Sequence, residues 1–292
     1  MSVPAPRPKP HPLARSRRPQ GQLTRGKTAT NRLRRVDTLL LIHDPGLVRR
    51  VHGVWESAPV VDLGYGFAPV TTVEMWQRLR RVNPALQVVG VEIDPARVAA
   101  AQAYVRAGLS FQLGGFNFML AGAVQARAVR AFNVLRQYEA AEVASAYAQM
   151  AAGVLPGGLL IEGTSDPLGR FWVAHLMRRT DDSVQPWRRE ALVLSTNFHA
   201  GFDPVEFQSV LPRDLIERVT PGDGVYEFFA AWRQAAQECR GLRVWGECSW
   251  FAATARRLAE FGYALDLRSN RLRRGFLIWR RPVLAVGTGR TV

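Results

Sequence analysis

Val60-Val61-Asp62-Leu63-Gly64-Tyr65-Gly66 and Val88-Val89-Gly90-Val91-Glu92-Ile93-Asp94 are two short apolar runs, each ending in acid. The first breaks into Asp-x-Gly-x-Gly; the second carries a carboxylate at its tip. Between them, residues 70–82 have helical spacing. Val73, Trp76, Leu79 and Val82 share one face, and Arg78, Arg80 and Arg81 are expected to face water. A strand–loop–helix–strand unit of this kind presents a nucleoside-bearing ligand at the edge of a parallel sheet. Gly64 and Gly66 allow a sharp turn and let backbone amides approach a ligand without a Cβ in the way. Asp62 would lie at the first strand tip, suited to a cationic amine. Glu92, 26 residues after Gly66, is placed to accept both hydroxyls of a ribose.

Outward from this unit the alternation continues. Residues 86–92 read as a second strand and 96–106 as an alanine-rich helix, with Pro95 in its first turn. Residues 109–113 and 128–135 read as the third and fourth strands. A helix over 140–154, ended by Pro156-Gly157-Gly158, precedes a fifth strand at 159–163. Such alternation implies a doubly wound parallel sheet with right-handed crossovers. Upstream, Val36, Leu39, Leu40 and His43 repeat at helical spacing until Asp44-Pro45-Gly46 stops them. After Thr164 the pattern changes. Residues 171–177 and 191–196 read as an antiparallel pair, 211–219, 225–237 and 250–261 as helices, and 274–279 as a last strand. The fold class is α/β, a Rossmann-like doubly wound sheet with extra α+β elements in the C-terminal half. Its parts are a tail (1–31), a ligand-binding core (32–165) and a C-terminal part (166–292) that completes the sheet.

Composition bounds the function classes. Across 292 residues, 47% are apolar and 22% charged, ordinary values for a globular protein. No run of eighteen apolar residues exists, so no membrane span is expected. The N-terminal charges, Arg17-Arg18 included, are not followed by an apolar stretch, so neither a secretory nor an export signal is expected and a cytoplasmic location is. Cys239 and Cys248 read as reduced and semi-buried. The formal charge of +15 is uneven: residues 1–35 hold ten basic residues and no acid, leaving 29 basic against 24 acidic elsewhere. Only Lys9 and Lys27 are lysines; the other 37 basic residues are arginine, and with abundant Ala, Val and Gly this points to a GC-rich bacterial genome. Six prolines in the first twenty positions and few large apolar side chains predict disorder over 1–31. A basic tail can still bind nucleic acid non-specifically, through residues 7–35.

No Gly-x-x-x-x-Gly-Lys-Ser/Thr loop occurs, which speaks against a nucleoside triphosphatase. A dinucleotide loop wants a third glycine where Pro69 stands, and Asp62 would sit badly beside a pyrophosphate. An aminoacyl or sulfonium cation suits Asp62 better than NAD does, and S-adenosylmethionine carries both. Asp62-Leu63-Gly64-Tyr65-Gly66, Gly90-Val91-Glu92-Ile93-Asp94 and Leu155-Pro156-Gly157-Gly158-Leu159 resemble successive motifs of the class I S-adenosylmethionine-dependent methyltransferases, over roughly residues 55–165. The resemblance implies a seven-stranded sheet whose final strand is inserted antiparallel. It implies a loop of Gly64, Tyr65 and Gly66 holding the methionyl part, and Glu92, followed by Asp94, holding the ribose. After the third strand such enzymes usually have an Asp for the adenine amine; Leu113-Gly114-Gly115-Phe116-Asn117 offers none, leaving Phe116 to pack on adenine and Asn117 to bond it.

Methyl transfer from a sulfonium is an in-line displacement, so the protein mainly positions the acceptor and excludes water. Asn133 would end the fourth strand beside the sulfonium, with Arg136, Gln137 and Tyr138 opening the next loop. Asn133, Tyr138 and Glu162 are the candidate catalytic residues. The Asn/Asp-Pro-Pro-Tyr/Phe sequence of nucleobase amine methylation is missing, which favours a small-molecule acceptor over nucleic acid. His175 and His199 lie in the half expected to bind the acceptor. Trp172, Trp187, Trp232, Trp245 and Trp250 read mainly as core. Arg271, Arg273, Arg274, Arg280 and Arg281 read as a basic rim around the last strand. Asp181-Asp182 reads as an exposed turn, and no metal is expected. The expected function is methyl transfer to an acceptor the sequence does not name. The alternative is a non-catalytic protein of the same fold that binds RNA or a protein partner through its tail.

Overall fold

Val60 and Val61 are fully buried because the strand they open has helices over both faces. In the computed structural model, which describes residues 18–23 and 28–282, this strand, β1 (Val60–Leu63), lies inside an eight-stranded sheet. The others are β2 (Val88–Glu92), β3 (Leu109–Leu113), β4 (Ala126–Phe132), β5 (Val154–Ser165), β6 (Phe171–Arg179), β7 (Trp187–Thr196) and β8 (Phe276–Arg280). Their order is β3-β2-β1-β4-β5-β6-β7-β8. Strands β1 to β5 run parallel; β6, β7 and β8 follow as an antiparallel meander.

The helices are α1 (Arg34–His43), α2 (Pro45–Arg49), α3 (Val54–Ser57), α4 (Val70–Arg80), α5 (Pro95–Ala101), α6 (Ala140–Ala151), α7 (Arg213–Ile216), α8 (Gly224–Glu238), α9 (Glu247–Glu260) and α10 (Ser269–Leu272). On one face, Val36, Leu39 and Leu40 of α1 and Met75 and Leu79 of α4 pack over Val60, Val88 and Ala128. On the other, Val143, Ala146 and Met150 of α6 cover Val61, Val129 and Leu160. Phe228 and Trp232 of α8 and Phe251 of α9 cover Val173, Leu194 and Leu277 of the meander. Fully burying each such side chain stabilises the fold by about 1.5–3 kcal/mol.

The Rossmann-like doubly wound class holds, with the extra α+β elements where expected. Its connectivity corrects the seven-stranded expectation. The antiparallel neighbour of β5 is β6, the next strand in sequence, rather than a last strand inserted from the end. Pro156-Gly157-Gly158 lies inside β5, and the β4–β5 register shifts nearby, between Ala126 and Ala128. The helix expected over 211–219 shrinks to α7, preceded by a 3-10 segment at Pro204–Val210. The buried face of α4 is Thr71, Thr72, Met75 and Leu79, and Arg78 turns inward to bond Asp37 rather than facing water. Of the expected disordered tail, residues 1–17 and 24–27 lie outside the described residues. Residues 18–23 are laid across the domain by backbone hydrogen bonds, a source of order that side-chain composition does not reveal.

Candidate functional site

Strand order reverses between β1 and β4, so the crevice for a ligand opens at the carboxyl ends of these strands. Two cavities meet there at Gly64. One, with about 20 Å³ of free volume, is bordered by Glu92, Ile93, Phe116 and Tyr138. The other, with about 30 Å³, is bordered by Asp62, Gly66, Arg32 and Asn133. The turn between them needs glycine: Gly64 and Gly66 have φ of 71° and 82°, where a side chain is strained. Gly64 donates its N–H to the Val91 carbonyl at 2.7 Å. Gly66 donates to Glu92 Oε2 at 2.8 Å, and Ile93 donates to Oε1 at 3.0 Å. The buried Glu92 thereby clips the β1 turn to the tip of β2; Oε1 also takes the Asp94 amide at 3.4 Å and lies 3.8 Å from Arg97, which leaves Oε2 with a further acceptor site.

Asp62 is held differently from the sequence expectation. Arg130, its register partner on β4, donates to Asp62 Oδ1 at 2.9 Å and to Oδ2 at 2.6 Å, and Thr72 adds a third bond to Oδ2 at 2.6 Å. Arg130 also bonds the buried Asp37 of α1, which receives a second guanidinium from Arg78 at 2.8 Å. Asp62 lines the second cavity with its charge already matched, so a free carboxylate awaiting an amine is not what stands there. Burial pushes Asp37 up, against the pull of Arg130 and Arg78.

The remaining candidates divide. Asp94 caps α5, accepting from Ala96 N at 2.8 Å, and faces Arg97. Tyr65 packs edge-on against Phe111, with centroids 5.4 Å apart. Asn133 holds a left-handed φ of 59°, a strain of about 1–3 kcal/mol. Its side chain pins the end of β5: Oδ1 accepts from Ser165 N at 3.0 Å and Nδ2 donates to Ser165 Oγ at 3.2 Å. Tyr138, expected on the acceptor side, instead borders the Glu92 cavity, its ring 5.2 Å from that of Phe116. Glu162 does not reach either cavity. It lies beneath α6, accepts from Tyr147 Oη at 2.9 Å, and burial raises it to about 8. His175, its register partner, is buried against Asp214 at 2.8 Å, and burial lowers its pKa.

Sequence reading missed what fills the first cavity. Residues 18–23 cross it as a strap: Phe116 N donates to the Gln20 carbonyl at 2.8 Å, and Gln20 N donates to Asn117 Oδ1 at 2.8 Å. Asn117 Nδ2 donates to the Arg18 carbonyl at 3.0 Å, and Gln22 N donates to the Tyr138 hydroxyl. A Cβ on Gly115 would collide with the Gln20 carbonyl, and one on Gly21 would lie 3.3 Å from Ile93 Cδ1. Asn117 is thus a strap anchor. No motif announces the strap, though an arginine within Ala128-Val129-Arg130-Ala131 was a legible sign of a buried ion pair. The expected basic rim also thins, because Arg271 and Arg280 both bond Asp266.

No protein-family model and no curated protein matches this sequence. Solved structures similar to it include the methyltransferase domain of the citrinin polyketide synthase, at 15% identity over 38% of this chain and a TM-score of 0.32. The chain spans 30% of that protein's length. CalS10, an amino pentose methyltransferase from Micromonospora echinaspora, is similar at 20% identity over 58% of this chain and 69% of its own, with a TM-score of 0.32. Magnesium protoporphyrin IX methyltransferase from Synechocystis PCC 6803 is similar at 20% identity over 45% and 55%, with a TM-score of 0.33.

Proposed function

We propose that the protein binds S-adenosylmethionine across the two joined cavities and is a methyltransferase acting on a small molecule. The observation that supports this most is the Glu92–Gly66 clip at the reversal of strand order, a buried carboxylate whose Oε2 keeps an acceptor site beside the Gly64 and Gly66 turn. The residues fit an adenosyl group: Glu92 for a ribose diol, the Phe116 and Tyr138 rings for a base, and the Phe116 amide for the base edge. When bound, the cofactor supplies an electrophilic methyl group on a sulfonium.

The chain's own residues bind, orient and exclude water. Gly64 and Gly66 admit a ligand close to the backbone, while Asn133 and Arg32, both tied to Ser165, fix the wall of the second cavity. Asp62 keeps one acceptor direction on Oδ1 for an ammonium, although Arg130 already balances its charge. The strap must leave the first cavity, or slide along it, before an adenine can lie between Ile93 and Phe116.

The strap also favours a second reading: a chain whose own segment fills the slot serves as a binding protein that works through its basic tail. Titration calorimetry with S-adenosylmethionine and S-adenosylhomocysteine, on the full chain and on a chain lacking residues 1–23, separates the two. One-to-one binding that tightens on deletion supports the methyltransferase; no binding by either form supports the second reading.

A further inference from the structure

Beyond Arg32 lies a third, wider cavity of about 650 Å³ at the same edge of the sheet, bordered by Asn31, Arg34, Arg35, Asn197, His199 and Arg274. Its wall contains three guanidiniums and no carboxylate. Among the described residues, Arg34, Arg35 and Arg274 form no ion pair.

Other arginine clusters in this fold gather around an acid. Arg268, Arg271 and Arg280 converge on Asp266, Arg178 and Arg188 on Glu190, and Arg130 and Arg78 on Asp37. Here no acid lines the cavity among the described residues, and Arg35 is held in place all the same. Arg35 donates to Ser195 Oγ from Nε at 3.1 Å and from Nη2 at 2.7 Å, and Nη2 also bonds the Arg274 carbonyl. Its guanidinium sits over the Phe276 ring at 4.6 Å. These contacts fix its plane and leave Nη1 with no partner among the described residues. Burial, and then the like charges of Arg34 and Arg274, lower Arg35 to about 10, so it remains a cation at neutral pH. A fixed guanidinium without an acid, flanked by two further guanidiniums, is suited to bidentate recognition of oxyanions.

We propose that this cavity binds an anionic small molecule through a phosphate or carboxylate group, clamped by Arg34, Arg35 and Arg274. The assignment rests on charge and geometry alone and stands whether or not a methyl group is transferred. The cavity adjoins the Asn133 side of the site: residues 31–35 separate the two, and Gly169 packs directly on the Arg32 carbonyl. Under the methyltransferase reading, it would hold the charged end of the acceptor.

The test is titration calorimetry of the full chain with pyrophosphate and with citrate at low salt. Three proteins are compared: wild type, Arg34→Ala/Arg274→Ala, and a control, Arg49→Ala/Arg81→Ala, with the same loss of net charge. Both altered pairs are exposed, so matching circular dichroism melts should confirm folding. The expected result is saturable binding of at least one probe by wild type, at least tenfold weaker in Arg34→Ala/Arg274→Ala and within twofold of wild type in the control. Tighter pyrophosphate would identify a phosphate-bearing ligand and tighter citrate a polycarboxylate. Absence of saturable binding of either probe, or equal losses in both variants, would overturn the proposal.

Discussion

Arg130 and the Arg34–Arg35–Arg274 cluster both engage α1, and they lie in opposite electrostatic settings. Arg130 is buried between Asp37 and Asp62, and its side chain spans α1 and β1 while bonding the Thr71 carbonyl of α4. The cluster has comparable anchoring for Arg35, but the acid is absent. A buried cation matched inside the protein holds the fold together; cations that converge on open space without a counter-charge are available to a ligand. The stability and binding of variants should divide along the same line.

The largest effect should come from Arg130→Met. It leaves Asp37 and Asp62 buried without their shared cation, and urea denaturation should show a loss of about 3–5 kcal/mol. A loss under 1 kcal/mol would mean that this network does not hold the fold. Glu162→Gln extends the comparison to a buried acid whose hydrogen-bond partner is a neutral hydroxyl. Because folding raises Glu162 from 4.5 to about 8, its contribution is complete below the lower value and declines as pH rises toward the upper one. Wild type should therefore lose a few kcal/mol relative to the Gln variant between about pH 5 and 8, read from melts across that range. Parallel pH profiles would contradict the raised value.

Deleting residues 1–23 removes a competitor for the Glu92 cavity and should tighten S-adenosylhomocysteine binding by about tenfold, or 1.4 kcal/mol. Weaker binding would instead make the strap part of the binding wall. The smallest effect is expected from Arg34→Ala/Arg274→Ala. Its unfolding free energy should stay within about 0.5 kcal/mol of wild type, because among the described residues no acid loses a partner.

The parallel half was legible because its signals are local. Apolar runs, the glycine turn and the acid at the first two strand tips lie in the segments they organise, so the parallel order of β1 to β5 and the strand-tip positions of Gly64, Gly66 and Glu92 followed from them. The meander connectivity depends on which strand β5 pairs with, a long-range choice that residues 171–196 do not encode by spacing. The partner of Asp62 was hidden for a similar reason: Arg130 is 68 residues away and meets it only through sheet register. Glu162 read as a candidate catalytic residue because its strand seemed to end at 163. With β5 running to Ser165 and α6 packed above, that carboxyl lies inside the protein. The strap left no sequence trace, because its order comes from main-chain bonds.

The most direct test of the central claim is calorimetric titration of S-adenosylhomocysteine into the full chain, the chain lacking residues 1–23, and Glu92→Gln. A nucleoside site at the Glu92 clip predicts one-to-one binding that is tighter without the strap and at least tenfold weaker in Glu92→Gln. Binding unchanged by Glu92→Gln, or no binding even without the strap, would contradict it.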